Sequence, residues 1–331
     1  PPDAEPWTGP LPNPLRNQLE QSDLSFRDFV EASLYDPAWG YYASSGSRAN
    51  RSADYATSVE ISPAFSFALA RLADEFVERA EDGLSGIVDI GCGDGALIAG
   101  IAASMQPAMR ARAAFFGIDR SLARSAERRA GGNFDIIFGS TPEILPQDLP
   151  LLVFSNELYD AFPFARLVQR AEGLNELYVH LEADGGLGWA ERRAPETYAA
   201  YFEARGVALE IGQFADIALD WESYYMGVCG AVKKGVIVTF DYGFPQKQLF
   251  DVRIRRYGTA AAYFRHGVHR DLLSRPGGQD LTAHVNFTDL ERAGERAGAT
   301  TLLFTRQARF LLSIGILDSP LLRVSPAYVT N

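Results

Sequence analysis

The sequence predicts an α/β fold built on a doubly wound parallel sheet, and three observations carry that expectation. Short apolar runs at Ser85–Ile90, Ala113–Ile118, Phe134–Phe138, Leu151–Ser155 and Gly235–Phe240 read as strands covered on both faces. Helical patterns at Gly95–Ser104 and Ser121–Ala130 lie between the first three, which is the signature of parallel βαβ units. The first strand also runs into a glycine-rich turn that opens a helix, as doubly wound sheets do.

Around that core the chain divides into four stretches. Residues 1–61 form an N-terminal helical extension and loop. Leu15, Leu19, Leu24, Phe26, Phe29 and Val30 recur at near-helical spacing over Pro14–Leu34, stopping before Asp36-Pro37, and the polar Ser44–Asp54 loop is a candidate lid. Residues 62–164 form a cofactor-binding core, opened by a helix over Ser62–Glu81 with Ser62 as N-cap and Pro63 in the first turn. Residues 165–234 exceed one crossover and read as an inserted α+β subdomain that binds the acceptor. There Leu174–Leu181 and Leu187–Arg192 alternate around Asp184-Gly185-Gly186, a hairpin signature, and helices follow near Glu196–Arg205 and Ala218–Lys233. Residues 235–331 return to the core sheet, with a helix at Phe287–Gly298 and a strand at Thr300–Arg306.

Composition narrows the function. Lys and Arg number 31 against 42 Asp and Glu, a formal net charge of −11, which argues against an extended nucleic-acid surface. Two distant cysteines, Cys92 and Cys229, make no disulfide framework, and His266-x-x-His269 is the nearest approach to metal-ligand spacing, so no metal is expected. The chain holds no apolar run long enough to span a bilayer, so membrane insertion is not expected. The bacterial cytoplasm is the expected compartment, with the mitochondrial matrix as the alternative.

The chemistry starts at Val88-Asp89-Ile90-Gly91-Cys92-Gly93-Asp94-Gly95. Glycines let a backbone bend tightly and approach a ligand without a Cβ, and the helix N-terminus beyond them offers free N–H groups. Dinucleotide enzymes share such a turn, but their spacing is G-x-G-x-x-G, whereas these glycines fall at 91, 93 and 95. Asp94 inside the turn is a poor neighbour for pyrophosphate and suits the cationic sulfonium and amino group of S-adenosylmethionine (SAM). SAM is therefore the expected cofactor, with S-adenosylhomocysteine as its product, and a nicotinamide oxidoreductase is disfavoured.

Asp119 ends the second strand and is placed to take both ribose hydroxyls of an adenosine, the alternative being a solvated strand end. Gly139-Ser140-Thr141 falls where the adenine ring would be read, with Ser140 as the candidate. Past the fourth strand, Asn156 is a candidate for the SAM amino group. Glu157 and Asp160, three apart, point to one site if this segment turns helically. Two carboxylates hold the planar fork of a guanidinium and make one nitrogen more nucleophilic; an N-cap network opening a helix is the alternative. Asp241 and Tyr242, beyond Gly235–Phe240, sit beside the acceptor nitrogen or else close a capped turn.

Together these segments resemble the MidA-type SAM-dependent methyltransferase family, which includes a mitochondrial complex I assembly factor that dimethylates an arginine. The matching residues are Asp36-Pro37-x-x-Gly40-Tyr41-Tyr42, Thr57-Ser58-x-Glu60-Ile61-Ser62, the glycine turn, Ser155-Asn156-Glu157-x-x-Asp160-Ala161-x-Pro163 and Asp241-Tyr242-Gly243. They continue in Gly278-x-Asp280-Leu281-Thr282-Ala283-His284-Val285-x-Phe287 and Phe310-Leu311-Leu312-x-Ile314-Gly315-Ile316. The resemblance implies a class I methyltransferase, Rossmann-like fold. It implies that Thr57, Ser58 and Glu60 lie near the cofactor, that Gly91, Gly93, Gly95 and Asp119 bind SAM, and that Asn156, Glu157 and Asp160 lie at the transfer site. It also places His284 in a loop near the acceptor, against a plain structural role for that ring. The implied acceptor is a protein arginine, a respiratory-complex subunit among the candidates. A small-molecule acceptor and a non-catalytic SAM-binding assembly chaperone are the competing readings. The sequence departs from the family at Cys92-Gly93-Asp94-Gly95, where Pro-Gly-Arg-Gly is usual, at Val59, where Pro is usual, and at the Ala before Asp54-Tyr55, where Gly is typical.

Overall fold

The computed structural model describes residues 9–42, 63–80, 83–121, 135–264 and 267–320. In chain order, α1 (Asn13–Leu19), β1 (Leu24–Ser25) and α2 (Phe26–Tyr35) precede α3 (Pro63–Arg79), β2 (Ser85–Ile90), α4 (Ala96–Ser104) and α5 (Pro107–Arg110). Then come β3 (Ala113–Ile118), β4 (Ile136–Gly139), β5 (Leu151–Asn156), β6 (Ala165–Arg170), β7 (Gly173–Leu181) and β8 (Leu187–Arg193). They are followed by α6 (Glu196–Glu203), β9 (Phe214–Ile217), α7 (Asp220–Ala231), β10 (Gly235–Phe240), β11 (Gly243–Phe244), α8 (Gln246–Leu249) and α9 (Val252–Arg255). Last are β12 (Ala261–Phe264), β13 (Gly267–His269), β14 (Asp280–Thr282), β15 (Val285–Asn286), α10 (Phe287–Arg296) and α11 (Gln307–Ser313). The chain clusters into two compact units: a core unit of Ala56–Leu158, Ser223–Asp241 and Glu291–Asn331, and a second unit of Pro1–Tyr55, Tyr159–Glu222 and Tyr242–Leu290.

The core unit carries a parallel sheet in the order β10-β5-β2-β3-β4. The first strand of the series, β2, lies at its centre, and the winding reverses between β2 and β5, which is where a doubly wound sheet leaves a crevice at its strand ends. Alternate residues of β5 face opposite sides. Leu152 and Phe154 join the cluster under α3 and α4, with Phe65, Leu69, Ile98 and Ile101, while Leu151 and Val153 pack with Val88, Ile90 and Val228. Phe154 is fully buried, and Phe154→Ala would cost about 3–5 kcal/mol, loss of transfer and cavity combined.

The second unit is built on an antiparallel sheet, β1-β7-β6-β9, with β8 paired to β7. The β7–β8 hairpin matches the expectation, with Leu181 opposite Leu187. One cluster joins Leu15, Phe26, Phe29 and Leu34 of α1 and α2 to Phe164 and Val179. A separate one joins Tyr198, Tyr201 and Phe202 of α6 to Leu167, Ala215 and Ile217. The buried Asp216 carboxylate accepts from Arg166 at 2.7 Å and from the Thr259 and Ala260 N–H groups at 2.6 and 2.7 Å.

Three expectations need correction. The helix expected over Pro14–Leu34 is two helices, because Leu24 and Ser25 pair with Val179 and Tyr178 and the Ser25 hydroxyl then caps α2 by accepting the Asp28 N–H at 3.1 Å. Thr300–Arg306 makes no strand pairing among the described residues, and Leu302, Leu303 and Phe304 are exposed. Residues 242–290, expected with the core sheet, cluster instead in the second unit, where β11 pairs with β15 and β12 with β13 and β14. The expected Ser121–Ala130 helix, the Ser44–Asp54 loop and Ser62 lie outside the described residues, apart from Ser121 itself.

Candidate active site

The glycine turn follows β2 directly. Gly91, Gly93 and Gly95 all take positive φ, at 75°, 54° and 81°, a region that costs other residues about 1–2 kcal/mol. Gly91 and Cys92 donate their N–H groups to Ile118 O, which ties the turn to the end of β3. A Cβ at Gly95 would fall 2.9 Å from the Phe138 ring, whereas a Cβ at Gly93 would meet nothing within 4 Å. The turn is thus closed by packing behind Gly95 and open at Gly93.

Asp119 holds this turn from the neighbouring strand end. One carboxylate oxygen accepts the Gly93 N–H at 2.9 Å and the other accepts the Ser121 N–H at 2.8 Å. Asp94 accepts from Ala96 N–H at 3.0 Å, a local turn at the entry to α4. Asp89 is 1 % exposed, and its Oδ2 has no hydrogen-bond partner among the described residues. Burial pushes its carboxyl up to about 7, with the like charges of Asp119 and Asp94 adding to the shift and a backbone bond at Ile98 opposing it. Ser140 is exposed just past β4, next to Gly139, whose carbonyl accepts the Asp119 N–H.

At the end of β5, Asn156 keeps a buried Oδ1 with no partner among the described residues. Glu157 follows at φ 50°, one of two non-glycine residues with positive φ among the described residues, and its N–H donates to Phe240 O at 2.8 Å. Asp241 accepts the Leu158 N–H at 3.2 Å, a bond that ties the end of β10 to the segment leaving β5. The core unit therefore brings together Asp89, the three glycines, Asp119, Ser140, Asn156, Glu157 and Asp241 at one end of its sheet. Thr57, Ser58 and Glu60 lie outside the described residues.

The expected helical turn from Glu157 to Asp160 does not form. Glu157 sits in the left-handed region and the chain then runs through bends and turns, so helical spacing does not apply and no helix is capped there. Asp160 belongs to the second unit with Tyr242 and His284. Backbone bonds join the three: Ala283 N–H donates to Asp160 O at 3.1 Å and Val285 N–H to Tyr242 O at 2.8 Å. Tyr242 is 42 % exposed, and Asp160 is buried. The His284 ring lies 5.4 Å from that of Phe244, tilted by 44°. Burial lowers its pKa, the Arg255 charge adds to that, and Asp216 opposes it. Asp160 and His284 line one cavity with Tyr159, Trp221 and Asn286, three residues the motif reading passed over. Asn286 was within reach, as the variable position of Val285-x-Phe287. Among the described residues no group of three or more His, Cys, Asp or Glu is placed to hold a metal ion, and no helix is long and apolar enough to cross a membrane.

A parallel sheet with its first strand central, a glycine turn into a helix and an acid on the next strand end define a doubly wound α/β enzyme with a nucleoside-cofactor crevice at its strand ends. A family model described as "Putative S-adenosyl-L-methionine-dependent methyltransferase" matches residues 68–305, and the chain belongs to that family. Among solved structures, a Burkholderia thailandensis protein bound to S-adenosyl-homocysteine is 28 % identical with a TM-score of 0.80, over 97 % of this chain and 87 % of that one. A native crystal structure of an uncharacterised protein of the same superfamily and organism is 28 % identical with a TM-score of 0.78, over 96 % and 86 %. No curated protein matches the chain. The chain is a methyltransferase that uses SAM.

Proposed function

We propose that this methyltransferase acts on a nitrogen of a protein arginine, as does the mitochondrial assembly factor of the MidA-type family it resembles, and that Asp89, Gly93, Asp119 and Asn156 hold its cofactor. SAM supplies a methyl group already activated on a sulfonium, so the work left to the protein is alignment and electrostatics. The residues present fit that group. Asp89 and Asn156 each offer a buried oxygen without a partner among the described residues to an ammonium, and Gly93 leaves open space where the backbone approaches a ligand. Each Asp119 oxygen has one backbone N–H and a second lone pair for a ribose hydroxyl. Ser140 is the adjacent candidate for the adenine.

Glu157 carries the acceptor reading. It is an acid held in the left-handed region at the end of the strand beside the cofactor turn, and strained backbone persists where surrounding structure fixes it, often at active sites. Its carboxylate accepts N–H bonds from a guanidinium, orients the attacking nitrogen and takes up the proton released as the nitrogen–carbon bond forms. The test is transfer of labelled methyl from SAM into arginine-rich peptides and lysate, followed by amino-acid analysis. Glu157→Gln is expected to bind S-adenosylhomocysteine like wild type and to transfer about a hundredfold more slowly or worse. Label found only in small molecules would replace the arginine reading, and full activity in Glu157→Gln would remove Glu157 from the chemistry.

A further inference from the structure

On the second unit three large apolar side chains stand in the open on two neighbouring loops: Ile211 is 64 %, Ile254 70 % and Tyr257 62 % exposed. Hydrogen bonds fix the backbone that presents them. Asp251 caps α9 by accepting the Arg253 N–H at 3.1 Å, and the chain stays helical through Arg256, so Ile254 and Tyr257, three apart, leave one side of the same turn. Arg256 ties that turn to the Ile211 loop, for its carbonyl accepts the Phe214 N–H at 2.8 Å and its guanidinium donates to Ile211 O at 3.0 Å. The Tyr257 carbonyl accepts from Arg166 at 3.0 Å, and its ring lies 6.5 Å from that of Phe214. Single exposed apolar residues are ordinary, whereas a group of them on one held surface marks an interaction site.

The charge around them is the reverse of the chain's. The whole sequence carries −11, yet Lys247–Tyr257 holds four cations, Lys247, Arg253, Arg255 and Arg256, against the single acid Asp251. Asp251 is taken up by Arg253, whose Nε and Nη2 donate to it at 2.9 and 2.6 Å, and Glu210 comes no nearer to Arg256 than 3.9 Å. Lys247 and Arg255 make no ion pair among the described residues. Arg255 is nevertheless held in place, over the Phe244 ring at 3.7 Å and donating to Gln248 O at 2.7 Å.

Exposed apolar side chains beside a surplus of positioned cations describe the complement of a partner that brings apolar groups and a few separate carboxylates. We propose that Ile211, Ile254 and Tyr257, rimmed by Arg253, Arg255 and Arg256, dock an acidic peptide segment of a partner protein, one in which Asp or Glu is interleaved with large apolar residues. Tyr and Arg are the side chains on which such interfaces most depend. A nucleic-acid backbone or an anionic bilayer fits less well. Either presents a dense negative field that Asp251 and Glu210 oppose from within the patch, and three apolar side chains bury little area in lipid. The proposal goes beyond the arginine reading and does not depend on it, since a docking surface serves a methyl acceptor and an assembly partner alike.

The test selects binders from a random-peptide display library on the full chain and, in parallel, on the double variant Arg253→Ser, Ile254→Ser. Both side chains are exposed, so the variant should melt as the unmutated chain does. The unmutated chain is expected to enrich peptides in which Asp or Glu is interleaved with Leu, Ile or Phe. A synthetic copy of the commonest should bind the variant at least about tenfold more weakly, and its affinity for the unmutated chain should fall as salt is raised. Adding that peptide to the unmutated chain should slow amide hydrogen exchange at residues 210–214 and 251–257, a readout independent of how the variant folds. No enrichment, a neutral or basic consensus, equal affinity for the variant, or protection confined to other residues each overturns the site. Cosedimentation with vesicles of phosphatidylserine and phosphatidylcholine that the double substitution abolishes, without peptide enrichment, gives the surface to a membrane and overturns the peptide proposal. Labelled methyl transfer to arginine is scored separately, so the two readings stand or fall apart.

Discussion

Replacing Asp89 with Asn separates two consequences of one buried carboxyl, and they carry opposite signs. Burial and the neighbouring Asp119 raise this carboxyl from an ordinary 3.8 to about 7, a difference worth about 4 kcal/mol. A folded-state pKa above the unfolded one gives a contribution that is fully present below the unfolded value and lost as pH rises through the folded value. The cost of ionising Asp89 therefore grows between about pH 4 and pH 7 and is complete above that. An amide of the same size carries no such cost but must find partners for its own N–H groups, about 1–3 kcal/mol. The cofactor-free Asp89→Asn protein should thus be more stable than wild type at pH 8 by about 1–3 kcal/mol, with the gap closing or reversing toward pH 4. Cofactor affinity goes the other way. An ammonium needs the ionised carboxylate, of which about a tenth is present at pH 6, so wild type should bind S-adenosylhomocysteine about tenfold more weakly at pH 6 than at pH 8. Asp89→Asn should bind weakly with a flat profile. Calorimetric titrations and denaturant melts at several pH values measure both effects. An affinity profile equally steep in wild type and Asp89→Asn would refute the assignment of the charge, and lower stability of the variant at pH 8 would refute the burial argument.

Further predictions concern the rest of the site and its support. Asp119→Ala removes the acceptors for Gly93 and Ser121 N–H; it should weaken S-adenosylhomocysteine binding about a hundredfold and cost about 1–2 kcal/mol of stability, and near-wild-type affinity by calorimetry would rule it out as a ligand. Glu157→Gly should relieve the left-handed backbone and raise the denaturant midpoint, by about 0.5–1 kcal/mol of stability, while abolishing transfer; a lower midpoint would show that the side chain supports the fold. Tyr201→Phe deletes the 2.6 Å bond to the buried Asp289 carboxylate, which Arg205 and Asn286 also hold. It should cost about 1.5–3 kcal/mol, and an unchanged melt would mean that a water takes the place of the hydroxyl.

What the sequence made legible follows the range of the interactions involved. β2, β3 and β10 and the glycine turn were readable to the residue because apolar runs and a βα turn are local devices whose cause lies within a few positions. Asp119 was readable because it lies at the end of a strand that itself was. The break between α1 and α2 was not, since Leu24 fits helical spacing and leaves the helix only because it pairs with Val179. Short pairings such as Gly243 with Val285 are below the length at which any period shows, and they are what join Tyr242 to the His284 loop. Leu302, Leu303 and Phe304 show the converse failure: a strand-like composition without a partner makes no strand.

The same division runs through the candidate site. Residue type gave Asp89 and Glu157 as acids near a cofactor, but neither the pKa of one nor the backbone of the other is a property of residue type. Asp89 is driven toward neutrality by burial beside Asp119. Glu157 is held out of the helix that spacing suggested by a hydrogen bond from its own N–H to Phe240, on the neighbouring strand β10. Both conditions are tertiary. The motif fixes which groups stand at the end of the sheet, and the packing fixes the charge one carries and the direction in which the other leaves its strand.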